Sequence, residues 1–424
     1  MYIGMIDMEI KGKYKVKIIN QNSDGLGVSR IDNKVIFVQN ALPLEEGTIE
    51  IMKVKKKYAL AKMISFDKIS NSRQKAPCPY YEECGGCDLQ HQAYDYQLKF
   101  KENKVVEALQ HIGGFNDIAI NRIIYDEPFN YRNKVTLKVA GTKIGFYEKS
   151  TNNIVDIDNC LISNDKINDA IKVIRTFLKK YSNNNFKSIM IRSNDEDLMI
   201  FIESNNNSLG DNLVAYLEPR LDNLKSLILN NKCIYGKSHI TFKIDDLKFN
   251  LSYKSFYQVN LDVMIKLYKK VTSYASNIKN DTILDLYCGI GTITSLLSKQ
   301  AKKVIGIEVV EEAVLNAEEN AKLNSINNIE FKRGKVENVI NLLKDENINT
   351  IVMDPPRSGV DRKVIDAIIK IEPKQIIYVS CDPATLARDL NILSEHNYEI
   401  DEIIPFDMFP QTKHVETVTR LVIR

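Results

Sequence analysis

From about residue 280 onward, short β-branched apolar runs alternate with stretches of helical period. Strands are predicted at 282–288, 303–309, 328–333, 350–354 and 375–381, and helices at 292–300, 310–323, 336–344, 363–371 and 384–395. Repeated strand–helix units of this length predict a doubly wound parallel sheet. Two further stretches, 398–406 and 414–423, have no helix between them and are predicted to pair antiparallel at its end. The first 66 residues read as all-β. Runs at Lys15–Ile19, Lys34–Val38, Gly47–Val54 and Tyr58–Ile64 are separated by turns such as Asn22-Ser23-Asp24-Gly25, which predicts a small OB-type barrel. Such barrels commonly bind oligonucleotides, and a purely structural barrel weighs equally from this segment alone.

Between these regions the pattern is less regular. A cysteine-rich loop, Cys78 to Cys87, leads into a helical stretch over 88–112 that ends near Gly113-Gly114 and is expected to pack on the catalytic domain. Residues 120–250 mix strands and helices among many Asn and Ser, and their order is not legible. The resulting division is 1–66, 67–255 and 256–424. The composition of the 424 residues, 44% hydrophobic and 27% charged, is that of a globular protein. No apolar run reaches the length of a membrane span, and no signal-peptide pattern stands at the start, so a cytoplasmic protein is expected. In that compartment seven cysteines are expected to be reduced, catalytic or metal-binding. The net charge of +3 decides little, but residues 1–66 carry ten Lys and one Arg against seven acidic residues. That excess becomes a phosphate footprint only if other features point to RNA. No feature points to an obligate protein partner.

Candidate chemistry gathers at the predicted strand ends. Asp285-Leu286-Tyr287-Cys288-Gly289-Ile290-Gly291 places two glycines before a helix, where backbone can approach a ligand. Thr294 stands where a dinucleotide loop prefers a small residue, and no P-loop lysine follows. Glu308 closes the second strand, placed to bind a ribose diol. The three together predict an adenosyl ligand without phosphates, S-adenosylmethionine, on the seven-stranded sheet of a methyltransferase. Asp354-Pro355-Pro356-Arg357 delivers a carboxylate at the same edge, and Arg357 stands where amino-methylating enzymes carry an aromatic. Cys381 closes the fifth strand, next to a helix start after Pro383 expected to favour its thiolate. A thiolate that adds to C6 of a pyrimidine makes C5 nucleophilic, and a base must then remove the C5 proton. Glu416, alternating with Val415 and Val418, is the candidate base and His414 its rival. Phe129-Asn130-Tyr131-Arg132-Asn133-Lys134 interleaves aromatics with cations, as base stacking and phosphate contact require.

The chain resembles the bacterial iron–sulfur RNA uracil-C5 methyltransferases, closest to those acting on 23S rRNA. The resemblance spans nearly the whole length. It rests on Cys78-x5-Cys84-Gly-Gly-Cys87-x-Leu89-Gln90-His91, Phe256-x-Gln258-Val259-Asn260, Asp285-Leu-Tyr-Cys-Gly, Asp354-Pro-Pro-Arg, Ser380-Cys381-Asp382-Pro383 and His414-Val415-Glu416. It implies a Rossmann-like seven-stranded class I methyltransferase domain, an N-terminal TRAM barrel that holds RNA, and an α+β central domain with an iron–sulfur cluster. Cys381 would be the nucleophile and Glu416 the base. Gln258, Tyr287, Glu308 and Asp354, with the glycines Gly289 and Gly291, would bind S-adenosylmethionine; Gln258 and Asp354 would also lie near the uracil. Cys78, Cys84, Cys87 and Cys160 would hold a [4Fe–4S] cluster, although spacing alone would equally suit zinc. Cys233 and Cys288 match no functional position. The target uridine should be flipped out of its stack. A T-loop tRNA substrate is the alternative, and a non-catalytic cluster-bearing RNA-binding protein is a more distant one.

Overall fold

The computed structural model describes residues 8–181, 185–275, 281–343 and 346–423. The chain divides into two compact units, residues 1–100 with 411–413, and 101–410 with 414–424.

The first unit contains a six-stranded sheet: β1 (Lys13–Lys17), β2 (Asn20–Gln21), β3 (Gly27–Ile31), β4 (Lys34–Gln39), β5 (Glu46–Val54) and β6 (Tyr58–Lys68). The order is β1-β5-β6-β4-β3-β2. Because β1 and β2 follow one another in the chain yet stand at opposite ends, the sheet curls into a barrel. Residues two apart, Ile36 and Val38, Ile49 and Ile51, Ala59 and Ala61, fill its interior, as strand alternation requires. The loop after β6 is tied back by Arg73, whose guanidinium pairs with the fully buried Glu45.

Helix α1 (Tyr94–His111) starts six residues later than the sequence suggests. Its Lys101 forms a fully buried ion pair with Asp407, directly after the strand that ends at Phe406. The central region, illegible in the sequence, is a seven-stranded sheet. Its elements are β7 (Lys134–Ala140), β8 (Lys143–Tyr147), β9 (Ile154–Asp156), α2 (Asp165–Lys180), β10 (Phe186–Ser193), β11 (Leu198–Ser204), α3 (Gly210–Leu217), β12 (Leu224–Leu229) and β13 (Lys232–Gly236). The strand order is β13-β12-β11-β10-β7-β8-β9. A hairpin of β14 (His239–Ile244) and β15 (Leu247–Ser252) follows, then α4 (Leu261–Ala275).

The last region comprises β16 (Thr282–Leu286), α5 (Thr292–Leu297), β17 (Lys303–Glu308), α6 (Glu311–Leu323), β18 (Ile329–Arg333) and α7 (Val336–Val339). It continues with β19 (Ile348–Met353), α8 (Arg362–Ile371), β20 (Gln375–Ser380), α9 (Pro383–Ser394), β21 (Tyr398–Phe406) and β22 (Glu416–Ile423). The sheet order is β18-β17-β16-β19-β20-β22-β21. The first five strands are parallel, and β22 runs antiparallel to both its neighbours. This is the class I methyltransferase arrangement. The order in which strands are added reverses between β16 and β19, the switch point where open α/β sheets bind ligands. The hairpin packs on this region, although it precedes residue 256. Asn316, Asn320 and Asn324, four apart on one face of α6, bond the backbone of Lys248 and Asn250 and so satisfy the exposed edge of β15. Among the described residues no helix is long and apolar enough to cross a membrane.

Candidate active site

The C-terminal ends of the parallel strands open onto a cleft of about 760 Å³. Strand β16 delivers Tyr287 and Gly289, β17 Glu308, β19 Asp354 and β20 Cys381. Because β22 is reversed, its first residue, Glu416, arrives at the same edge. Gln258 enters from the turn before α4. That turn is fixed from behind: the buried Arg192 donates to the carbonyls of Ser252 (2.8 Å) and Ser255 (2.6 Å), and Asn133 donates to that of Gln258 (2.9 Å).

The cofactor end is built from bare backbone and one carboxylate. A Cβ on Gly289 would meet nothing within 4 Å, so the main chain lies open to a ligand. Its N–H donates to Glu308 Oε2 at 3.1 Å, while Oε1 accepts from the N–H groups of Val309 and Val310 at 2.8 Å each. Three backbone donors thus hold the Glu308 carboxylate in place. Tyr287 adopts a positive φ of 64°, which a non-glycine residue keeps only where its surroundings impose it. The residues present fit an adenosyl ligand.

Comparisons with known proteins agree with this geometry. Residues 222–423 match the family described as tRNA (Uracil-5-)-methyltransferase, and residues 12–64 match the TRAM domain. An uncharacterized RNA methyltransferase of Clostridium acetobutylicum is 38% identical over 98% of both chains. One from Bacillus cereus is 37% identical over 93% of both. The chain belongs to the RNA uracil-5-methyltransferase family. The crystal structure of Pyrococcus abyssi tRNA (uracil-54, C5)-methyltransferase with S-adenosyl-L-homocysteine resembles it with a TM-score of 0.78 and 29% identity. That likeness covers 96% of this chain and 100% of the other. This chain is therefore an S-adenosylmethionine-dependent enzyme acting on RNA, with a TRAM domain at its N-terminal end.

The reacting end of the family's cleft is electrostatically tense. Burial pushes the Cys381 thiol up to about 12, and the charges of Glu416 and Asp354 push the same way; Arg357 opposes them. Burial alone raises Asp354 to about 7. Glu416 is raised well above the carboxylate range, first by burial and then by Asp354, again opposed by Arg357. The expected help from a helix N-terminus is not what dominates. Helix α9 does begin at Pro383, but its cap Asp382 takes the N–H groups of Ala384 and Thr385 (3.0 Å each), leaving them unavailable to the thiol.

Two expectations need correcting. Gly291 does not line the cleft; a Cβ there would strike Phe331 at 2.8 Å, so this glycine serves packing. Tyr131 is not a stacking platform, because it is buried with its hydroxyl donating to the Pro410 carbonyl at 3.0 Å. Cys78, Cys84 and Cys87 are half-buried on one loop, with the Gly86 N–H 3.4 Å from Cys84 Sγ. Cys160 belongs to the other unit. Among the described residues no three His, Cys, Asp or Glu side chains gather into a metal site. Thiolates repel one another unless a cation draws them together. Cys288 packs against Gly306, and Cys233 lines a separate surface cavity.

Sequence reasoning passed over other lining residues. His414, considered only as a rival base, lines the cleft beside Phe409, their rings edge-to-face at 6.1 Å. Phe256 is 72% exposed at the mouth, an unusual position for a large aromatic and one suited to stacking. Val309 and Val310, also exposed, directly follow Glu308; two apolar residues after the acid that closes β17 were the available signal.

Proposed function

We propose that the cleft methylates carbon 5 of uridine in 23S rRNA through a covalent Cys381 adduct, with Glu416 as the base. The observation that carries this reading is the meeting of Cys381 and Glu416 at one edge of the sheet, in the cleft that also holds Glu308 and the open Gly289 backbone. The Cys381 thiolate adds to C6, and the π pair of the C5–C6 bond moves to the O4 enolate. Carbon 5 then takes the methyl group, whose bond to the donor sulfur breaks with its electron pair left on that sulfur, giving S-adenosyl-L-homocysteine. Glu416 removes the C5 proton, the double bond re-forms and the thiolate leaves. S-adenosylmethionine supplies the methyl group and a sulfonium charge when bound. Arg357 is the protein cation that favours both the thiolate and the ionised Glu416. The enclosed site requires the uridine to be extruded from its stack, at a cost of a few kcal/mol.

A TRAM barrel followed by a cysteine loop favours ribosomal RNA within this family, and a cytoplasmic location belongs to the same proposal. The [4Fe–4S] cluster on Cys78, Cys84, Cys87 and Cys160 rests on the motif alone, and no step depends on it. A tRNA substrate is the second reading, favoured by the end-to-end likeness to the Pyrococcus abyssi tRNA enzyme. The test is methyl transfer from labelled S-adenosylmethionine to unmodified 23S rRNA and tRNA transcripts side by side. Label in C5 of uridine in 23S rRNA supports the first reading, and label confined to tRNA supports the second.

A further inference from the structure

Asp389 is fully buried on α9, two turns beyond Cys381, in a role the chemistry above does not use. Its Oδ2 accepts from the Val360 N–H at 2.9 Å and from the Tyr378 hydroxyl at 2.8 Å. Its Oδ1 holds the guanidinium of Arg388, with Nε at 2.8 Å. Arg388 in turn donates to the carbonyls of Ser358 (3.2 Å) and Val360 (3.4 Å), and Thr385 Oγ1 donates to that of Arg357 at 3.4 Å. Thr385, Arg388 and Asp389 stand at positions i, i+3 and i+4, so one face of the helix makes all of these contacts. Gly359 lets the loop come this close: its φ is +77°, and a Cβ would lie 2.8 Å from Asp389 Oδ2.

We propose that Asp389 is a positioning residue that locks the Asp354–Val360 loop to the helix that follows the nucleophile. That loop brings Asp354 and Arg357 to the cleft. Tyr378, on β20, ends the chain of contacts three residues before Cys381. The clamp therefore fixes the cation and carboxylate of the loop relative to the thiol, and the distance between them no longer depends on the loop's own stiffness. The inference rests on Cys381 as the nucleophile. A carboxylate serving stability alone would leave the rate per folded molecule unchanged.

The test uses the full chain, labelled S-adenosylmethionine and 5-fluorouridine-substituted 23S rRNA and tRNA transcripts, which trap the methylated adduct because fluorine cannot leave as a proton does. Asp389→Asn keeps the volume and an acceptor oxygen but loses the charge that holds Arg388. Adduct formation and methyl transfer per folded enzyme should fall about tenfold or more, since a displacement of about 1 Å can cost ~100-fold. The KM for S-adenosylmethionine should rise much less than the rate falls, because Glu308 and Gly289 are untouched even though Asp354 moves. Gly359→Ala should give the same signature from the loop side with Asp389 intact, and it carries the test if the first variant does not fold. Wild-type rates in either folded variant overturn the clamp, as does a KM that rises in step with the loss of rate. If the wild type methylates without a Cys381 adduct, the nucleophile reading falls separately, and the clamp is judged on the variants' methyl-transfer rates.

Discussion

Cys381 and Glu416 are brought together by register. The antiparallel pairing of β20 with β22 ends at Ser380 opposite Thr417. One step further along each strand stand Cys381 and Glu416. The proposed nucleophile and base, 35 positions apart in the chain, are thus held by a backbone ladder, which fixes their spacing more tightly than two loops would. The same closeness makes the Glu416 charge one of the influences that keep the thiol protonated.

Their two substitutions should therefore fail in different ways. Cys381→Ala should abolish methyl transfer and leave no covalent complex. Glu416→Gln should slow turnover by about 10²–10⁴-fold, the usual worth of a general base, while a slow-migrating RNA–protein band accumulates on a denaturing gel. If Glu416→Gln releases product without that band, another group removes the proton, and His414 is next in the cleft.

Asp354 sets a pH dependence of stability. Its carboxyl is raised from 3.8 to about 7 in the folded protein. The folded chain then keeps a proton that the unfolded chain releases, so the stability contributed by this group is fully present below about pH 4 and is lost as pH rises from there through about 7. Asp354→Asn cannot ionise and lacks this fall. The variant should gain nothing over wild type at pH 4 and gain progressively to pH 8, by on the order of a few kcal/mol at about 1.4 per pKa unit. Thermal unfolding of both proteins across that range checks it; a constant offset would mean that burial of Asp354 is not what raises its carboxyl.

At the cofactor end, Glu308→Gln should raise the KM for S-adenosylmethionine. Three backbone N–H groups converge on the carboxylate, and an amide turns its NH₂ toward at least one of them. Loss of a charge-assisted bond of about 1.5–3 kcal/mol corresponds to roughly 10–100-fold. Binding of S-adenosyl-L-homocysteine by calorimetry should weaken in parallel, with the adduct-forming residues untouched. A change in kcat alone would contradict the assignment.

The methyltransferase sheet was legible because its information is local. Each strand from β16 to β22 falls within two residues of its expected place, since apolar runs, turns and helical period all change at the same boundaries. The central sheet was not, because β7 pairs with β10 across nearly fifty residues and β12 joins parallel to β11. Site residues divide in the same way. Glu308 and Cys381 declared themselves as polar groups closing apolar strands. Tyr131 misled because its hydroxyl partner, the Pro410 carbonyl, lies 279 positions away. Gly291 misled because the ring it makes room for, Phe331, stands two strands away in the sheet.

At the cysteine loop, metal analysis decides between a cluster and thiols without metal. With a cluster, protein purified without oxygen should carry about four irons and as much acid-labile sulfide per chain, with absorbance near 400 nm that dithionite bleaches. Cys84→Ser should lose that iron, since its sulfur already accepts the Gly86 N–H, the kind of bond that tunes cluster sulfurs. Because no step is routed through the metal, Cys381 should still form its adduct in any folded iron-free variant. One equivalent of zinc in place of iron would make the loop a structural thiolate site. Metal-free protein that is fully folded and active would mean that the half-buried arrangement of Cys78, Cys84 and Cys87 is already the working one.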